Sequence, residues 1–230
     1  APTFFEKFGM TAAKRKLSKF MFAFIALGTL LPMMHQSSLG TLLVVMGEQV
    51  HPLWQTPVLP ALYLLTAITI GYAIVLFESC LASAAYRRSI EMHLLTPMAR
   101  VMLGVLAVYL VVRLGDLLVR GALPLAFGLS LESLMFWLEM ACFIAPFFVI
   151  GRAAQRRNPA RLFVAGVLLM LAGSLLRING FLIGYNTVIG AETSGVDFQY
   201  FPALPELLVT VGMFAVEVLG YIIITRRFPV

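Results

Sequence analysis

The stretch Met33-Met34-His35-Gln36-Ser37-Ser38-Leu39-Gly40 places four hydrogen-bonding side chains inside a run from Lys19 to Met46 that is otherwise apolar. Polar groups in lipid lose their water partners, so a His-Gln-Ser-Ser patch at that depth should face protein, water or a bound polar ligand. Imidazole, amide and hydroxyl groups together can bond a carbonyl oxygen and help deliver a proton to it. That is the chemistry of a quinone-headgroup site, with His35 and Gln36 as its reactive members and Ser37 and Ser38 beside them. The competing reading is a helix break near the outer interface, with the two serines bonded back to their own backbone.

Seven ionisable residues, Glu78, Arg113, Asp116, Glu132, Glu139, Arg177 and Glu217, fall within or at the edge of other apolar runs. At ~2.5 to 3.5 kcal/mol each on insertion scales, their nominal cost approaches roughly 20 kcal/mol. They must be paired, hydrated or useful. Glu132 and Glu139, seven residues apart, share one helix face, and Arg113 can pair with Asp116 along its own helix. Such pairs can equally do no more than lock a bundle together. Glu78 and Glu217 stand isolated and deeper, and a carboxylic acid poised between neutral and charged states is a proton relay. The seven together are the candidate proton pathway.

Elements able to position these groups follow from composition. The chain has 230 residues, 60% of them hydrophobic and only 12% charged, with a mean hydropathy of +0.93, outside the usual make-up of a soluble domain. The expectation is an all-α, polytopic membrane protein, a single membrane domain over 1–230. Residues 1–19 lead in from the cytoplasm, and six spans of ~20 or more residues follow at about 20–42, 58–85, 98–118, 131–150, 162–183 and 207–225. The loop His51-Pro52-Leu53-Trp54-Gln55-Thr56-Pro57 reads as an interface turn, with Trp54 among the headgroup anchors together with Tyr185, Phe198, Tyr200 and Phe201. No apolar leader with a small-residue cleavage site opens the chain, and Ala1 in place of Met suggests that it begins inside a longer one.

Charge placement supports six spans independently of hydropathy. Of 17 Lys and Arg, five precede the first span, three lie around the connection of spans two and three, four between spans four and five, and two follow the last. The opposite connections hold only Arg120. Fourteen against one puts both termini in the cytoplasm. That orientation sets His35, Arg113 and Arg177 in one layer near the outer face, each about 15 to 17 residues from the cytoplasmic end of its span. The net charge of +6 then describes anionic lipid in the bilayer, and nucleic acid is not implied.

Cys80 and Cys142 lie in apolar runs without CxxC or Cys/His spacing, so neither a metal site nor an iron-sulfur cluster is expected of this chain. His35 is the only histidine inside a span, His51 and His93 belonging to loops, so the count also argues against haem.

The strings MHQSSLGTL, HPLWQTP, FES, RLGDL, MFWLE and YFPALPELL, in that order, resemble the NrfD-like, HybB-type membrane subunits of periplasmic nickel-iron hydrogenases. The resemblance runs nearly end to end. It implies two four-helix bundles in the full-length family, no haem, and electron transfer to menaquinone as bound substrate, with or without proton translocation. The implied partners are a periplasmic ferredoxin-like iron-sulfur subunit and the hydrogenase large and small subunits. Family members have about ten spans, of which these six match the last. Spans two to five would be one complete NrfD-type bundle with flanking helices, and the other walls of the quinone pocket would lie elsewhere in the chain or in another. Against electron transfer to quinone stand two readings, a proton channel or pump resting on Glu78 and Glu217, and a passive anchor for soluble redox subunits.

Overall fold

A computed structural model describes residues 11–47, 50–87, 89–184 and 202–227. Six of its helices are long and apolar enough to cross a membrane, and no strand occurs among the described residues. They are α1 (Thr11–Met46), α2 (Leu59–Tyr86), α3 (Met92–Val119), α4 (Leu131–Ile150), α5 (Pro159–Ile178) and α6 (Leu204–Arg227). The chain is a multi-pass, all-helical membrane protein.

Two compact units share these helices, one of residues 33–199 and one of 1–32 with 200–230. The larger holds the end of α1 and the four helices α2 to α5. There α2 packs on α3 and α5, and α4 on α5 and α3, closing a four-helix ring. In the smaller unit the described apolar side chains of α1 and α6 are largely exposed, from Phe20, Phe22 and Ile25 to Val209, Phe214 and Val216. Glu217 is on an exposed face of α6.

Local chemistry explains the helix ends. Ser130 caps α4 by accepting from the Ser133 amide at 3.3 Å, and Asn158 caps α5 by accepting from the amides of Ala160 and Arg161, with Pro159 in the first turn. Arg87 ends α2 in the left-handed conformation, φ 51°. Helix α3 starts at Met92, earlier than the expected span at 98; Pro97 near its start forfeits only one intrahelical bond. No helix break occurs in α1, which runs through Pro32 and the whole His35 to Ser38 stretch to Met46.

Small residues bring the helices of the larger unit together, as in other bundles assembled in lipid. On α5, Ala165, Gly166, Leu169, Ala172, Gly173 and Leu176 form the buried stripe. A Cβ on Gly166 would lie 3.0 Å from the Ala73 carbonyl oxygen, so α2 and α5 meet almost backbone to backbone. Gly40 does the same for α1, where a Cβ would come within 2.8 Å of the Pro60 Cα.

Candidate functional site: a buried polar layer

The buried stripe of α3 reads Leu95, Ala99, Met102, Leu106, Tyr109, Arg113, Leu117, with steps of three and four. Arg113 therefore points into the bundle, fully buried, because it occupies a core position of its helix. On α4 the stripe Phe136, Glu139, Met140, Phe143 does the same for Glu139. At the end of α5 the helix widens into a π-turn, Asn179–Ile183, which turns Asn179 and Gly180 inward.

Glu139 is the hub. Its Oε2 accepts from the Trp54 indole N–H at 3.0 Å and from the Asn179 amide at 2.9 Å. The same Asn179 amide nitrogen donates to the Met135 carbonyl at 3.2 Å, bracing the π-turn against α4. Arg113 Nη2 stands 4.0 Å from Glu139 Oε1, within ion-pair range yet beyond a hydrogen bond. The Arg113 guanidinium lies 5.8 Å from the Phe136 ring centroid, and Tyr109 rests on Phe143 with 4.6 Å between ring centres.

A second polar group adjoins the first through Tyr63. Arg177 Nη2 and Nε both donate to Gln36 Oε1, at 2.6 and 3.2 Å, and Nη1 donates to the Gly173 carbonyl at 2.7 Å. Its guanidinium carbon lies 5.4 Å from the Tyr63 ring centroid. The Tyr63 hydroxyl in turn lies 3.4 Å from where a Cβ on Gly180 would be, beside Asn179. Both Tyr63 and Tyr109 feel the charges of Arg113, Arg177 and Glu139.

Seven buried atoms of this layer have no protein partner: the hydroxyls of Tyr63 and Tyr109, Nε, Nη1 and Nη2 of Arg113, Glu139 Oε1 and Asn179 Oδ1. Left dry, each would cost about 1 to 3 kcal/mol, more for the charged ones. Their sum would rival the ~5 to 15 kcal/mol of a whole domain's stability. Buried polar groups of this kind are met by water or ligand.

One turn along α3 the charges are closely paired. Asp116 accepts from the Thr56 hydroxyl at 2.8 Å and from Arg120 Nε at 2.9 Å, with Arg120 Nη2 at 2.7 Å. Arg120 Nη1 also donates to the Pro52 carbonyl at 2.9 Å, and the His51 amide to the Gly184 carbonyl at 3.0 Å. These bonds draw the 50–57 loop into the end of the bundle, where Leu53, Trp54 and Thr56 are buried. His51 is half-buried there; burial lowers its pKa below the ordinary histidine value, against the opposing pull of Glu132.

Two expectations change accordingly. Asp116 pairs with Arg120 and Thr56 while Arg113 faces Glu139, because a core-facing Arg113 turns away from the loop that Asp116 meets. Trp54 is an interior side chain bonded to Glu139 and not a headgroup anchor, since the loop's polar atoms find partners inside the bundle. Tyr185, Phe198, Tyr200 and Phe201 lie outside the described residues.

The candidate residues thus divide. Gln36 and Arg177 meet, and so do Arg113 and Glu139. Ser37 is half-buried and Glu132 partly so, whereas His35, Ser38 and Glu78 are exposed on their helices. Trp54, Tyr63, Tyr109 and Asn179 were not singled out as site residues. An asparagine and two tyrosines within apolar runs were the available signal.

The class is therefore a polytopic helical membrane protein with a buried ionic layer in a four-helix bundle. Its sequence is 38% identical over 234 aligned residues to the probable Ni/Fe-hydrogenase 2 b-type cytochrome subunit of Escherichia coli (strain K12), matching 100% of this chain and 58% of that protein. It is 27% identical over 240 residues to a protein of Nitratidesulfovibrio vulgaris (strain Hildenborough), matching 100% of this chain and 60% of the relative. The chain spans about three fifths of the length of both relatives. No protein-family model matches it, and no solved structure does.

The first relative corrects the expectation that haem is absent, for a b-type cytochrome is by name a haem protein. The histidine count behind that expectation weighed only these 230 residues, and 58% of the relative is matched by them. The described histidines do not make a bis-histidine site. His35 is exposed on α1, His51 spends Nδ1 accepting from the Leu53 amide at 3.3 Å, and His93 sits in the first turn of α3. A haem would need an axial ligand from beyond the described residues.

Proposed function

We propose that this chain forms part of the membrane subunit of a hydrogenase-type respiratory complex, carrying electrons from a periplasmic iron-sulfur partner to menaquinone. The observation that carries the reading is the likeness, over the whole of this chain at 38% identity, to a protein named as a probable Ni/Fe-hydrogenase 2 b-type cytochrome subunit. In this reading the protein sits in the bacterial inner membrane with both termini cytoplasmic, docked to the hydrogenase large and small subunits. The haem implied by the relative's name would supply one-electron transfer.

The chain's own residues supply the quinone side. His35 and Ser38, exposed on α1, would meet a headgroup arriving from lipid, with Ser37 at its edge. Gln36 turns away from that face, held by two donors from Arg177. Arg113, Glu139 and Arg177 form the proton-handling layer behind it. Glu78 and Glu217 are exposed on their helices.

His35→Ala in the assembled complex should abolish hydrogen-dependent quinone reduction while dye-linked hydrogenase activity persists. Unchanged quinone reduction would remove the site.

A further inference from the structure

The seven partnerless atoms belong to five residues on four helices or their ends, and all five are completely buried. They are both donors and acceptors. Arg113 offers N–H groups, Glu139 Oε1 and Asn179 Oδ1 accept, and the two phenols do either. A small anion would satisfy the arginine and leave the carboxylate worse off, and an apolar ligand would satisfy nothing. Only a ligand that donates and accepts in the same small space meets all of them. With ~3 bonds per buried water, about two or three waters suffice.

We propose that the space bounded by Tyr63, Tyr109, Arg113, Glu139 and Asn179 binds a cluster of internal waters that joins Arg113 and Glu139 to the Tyr63 hydroxyl, whose ring lies against Arg177. The proposal goes beyond the quinone reading and does not depend on it. The 4.0 Å separation of Arg113 and Glu139 fits a pair bridged by solvent. Tyr63 links the two halves, its hydroxyl beside Asn179 and its ring under Arg177.

Both ends of the space are dry. Toward the loop, Trp54 and Leu53 are buried and Trp54 is bonded to Glu139. Away from it, Tyr109 rests on Phe143, and the buried residues that follow are Leu106, Met102, Leu169 and Ala165. Thr66 and Thr69, the last buried polar residues in that direction among those described, donate to carbonyls of their own helix. The cluster is therefore confined to the layer between Glu139 and Tyr63.

Infrared spectroscopy of the purified complex in the resting state, with no hydrogen and no quinone, tests this directly. Wild type should show buried-water O–H bands that shift in oxygen-18 water, and Tyr63→Phe and Tyr109→Phe should each remove or shift part of them. Glu139→Gln identifies the carboxyl band of Glu139, and Tyr63→Phe should move that band although the two residues share no hydrogen bond. Absence of oxygen-18-sensitive bands in wild type, or a Glu139 band indifferent to Tyr63→Phe, would overturn the proposal. Because no quinone takes part, this result is independent of whether His35→Ala abolishes turnover.

Discussion

Arg113 and Asp116 stand one turn apart on the same helix and are treated in opposite ways. Asp116 sits at the bundle end, closely bonded to Arg120 and Thr56, and ties the 50–57 loop down. Arg113 is fully buried, faces Glu139 at 4.0 Å and keeps three nitrogen atoms without a protein partner. A completed ion pair of the first kind is a fastener. A loose one of the second kind is costly as a fastener, since a buried pair repays its desolvation only with good geometry and full hydrogen bonding. The lesson is that the inner pair is kept for what its open valences hold, and the outer pair for position.

Removing charge from one partner of the inner pair should therefore do the most damage. Arg113→Met should cost about 3 to 5 kcal/mol, the usual penalty for leaving one buried charge alone, read as a drop in the thermal midpoint in detergent. If Arg113→Met with Glu139→Gln together costs as much as the sum of the two, the residues do not act as a pair.

Asp116→Ala comes next, at about 1 to 3 kcal/mol from the loss of charge-assisted bonds. Its signature is local: proteolysis or hydrogen exchange at 50–57 should rise while the Glu139 infrared band stays in place. A shift of that band would erase the distinction between the two sites.

Acidification should act on the same loop through His51. Burial lowers its pKa in the folded chain, so the unfolded chain binds the proton first as pH falls. Stability contributed by the neutral ring is complete above about 6.5, the ordinary histidine value, and declines as pH drops through it toward the lower folded value. Hydrogen exchange at 50–57 should rise across that window, and His51→Asn should flatten the response. Glu78→Gln is the smallest change expected, within about 0.5 kcal/mol, because an exposed residue away from any special contact rarely costs more.

Much of the outline was legible from residue types. Six long apolar helices followed from hydropathy, and Arg113, Glu139, Arg177 and Gln36 were all marked by being polar where polarity is costly. Their partners were not legible. Asn179 was passed over because asparagine is uncharged and sits where span five was ending; the π-turn that turns it inward has no simple sequence signature. Trp54 was misplaced because tryptophan near a predicted interface is ordinarily an anchor, and only the hydrogen bond to a residue 85 positions away reveals otherwise. His35 and Gln36 are neighbours in sequence and lie on different faces of α1, as adjacent helical residues separated by about 100° do.

What residue types settle about this chain is its solvent: a mean hydropathy of +0.93 and two lopsided sets of connecting charges make it a set of helices in a bilayer. Which polar groups meet is settled by packing. A span in lipid is apolar on every side, so hydropathy cannot distinguish its core face from its lipid face. Close approach at Gly40, Gly166 and Gly173, together with the turn at Asn179, draws Glu139, Arg113 and Arg177 into one layer. The same packing leaves Glu78 on the outside.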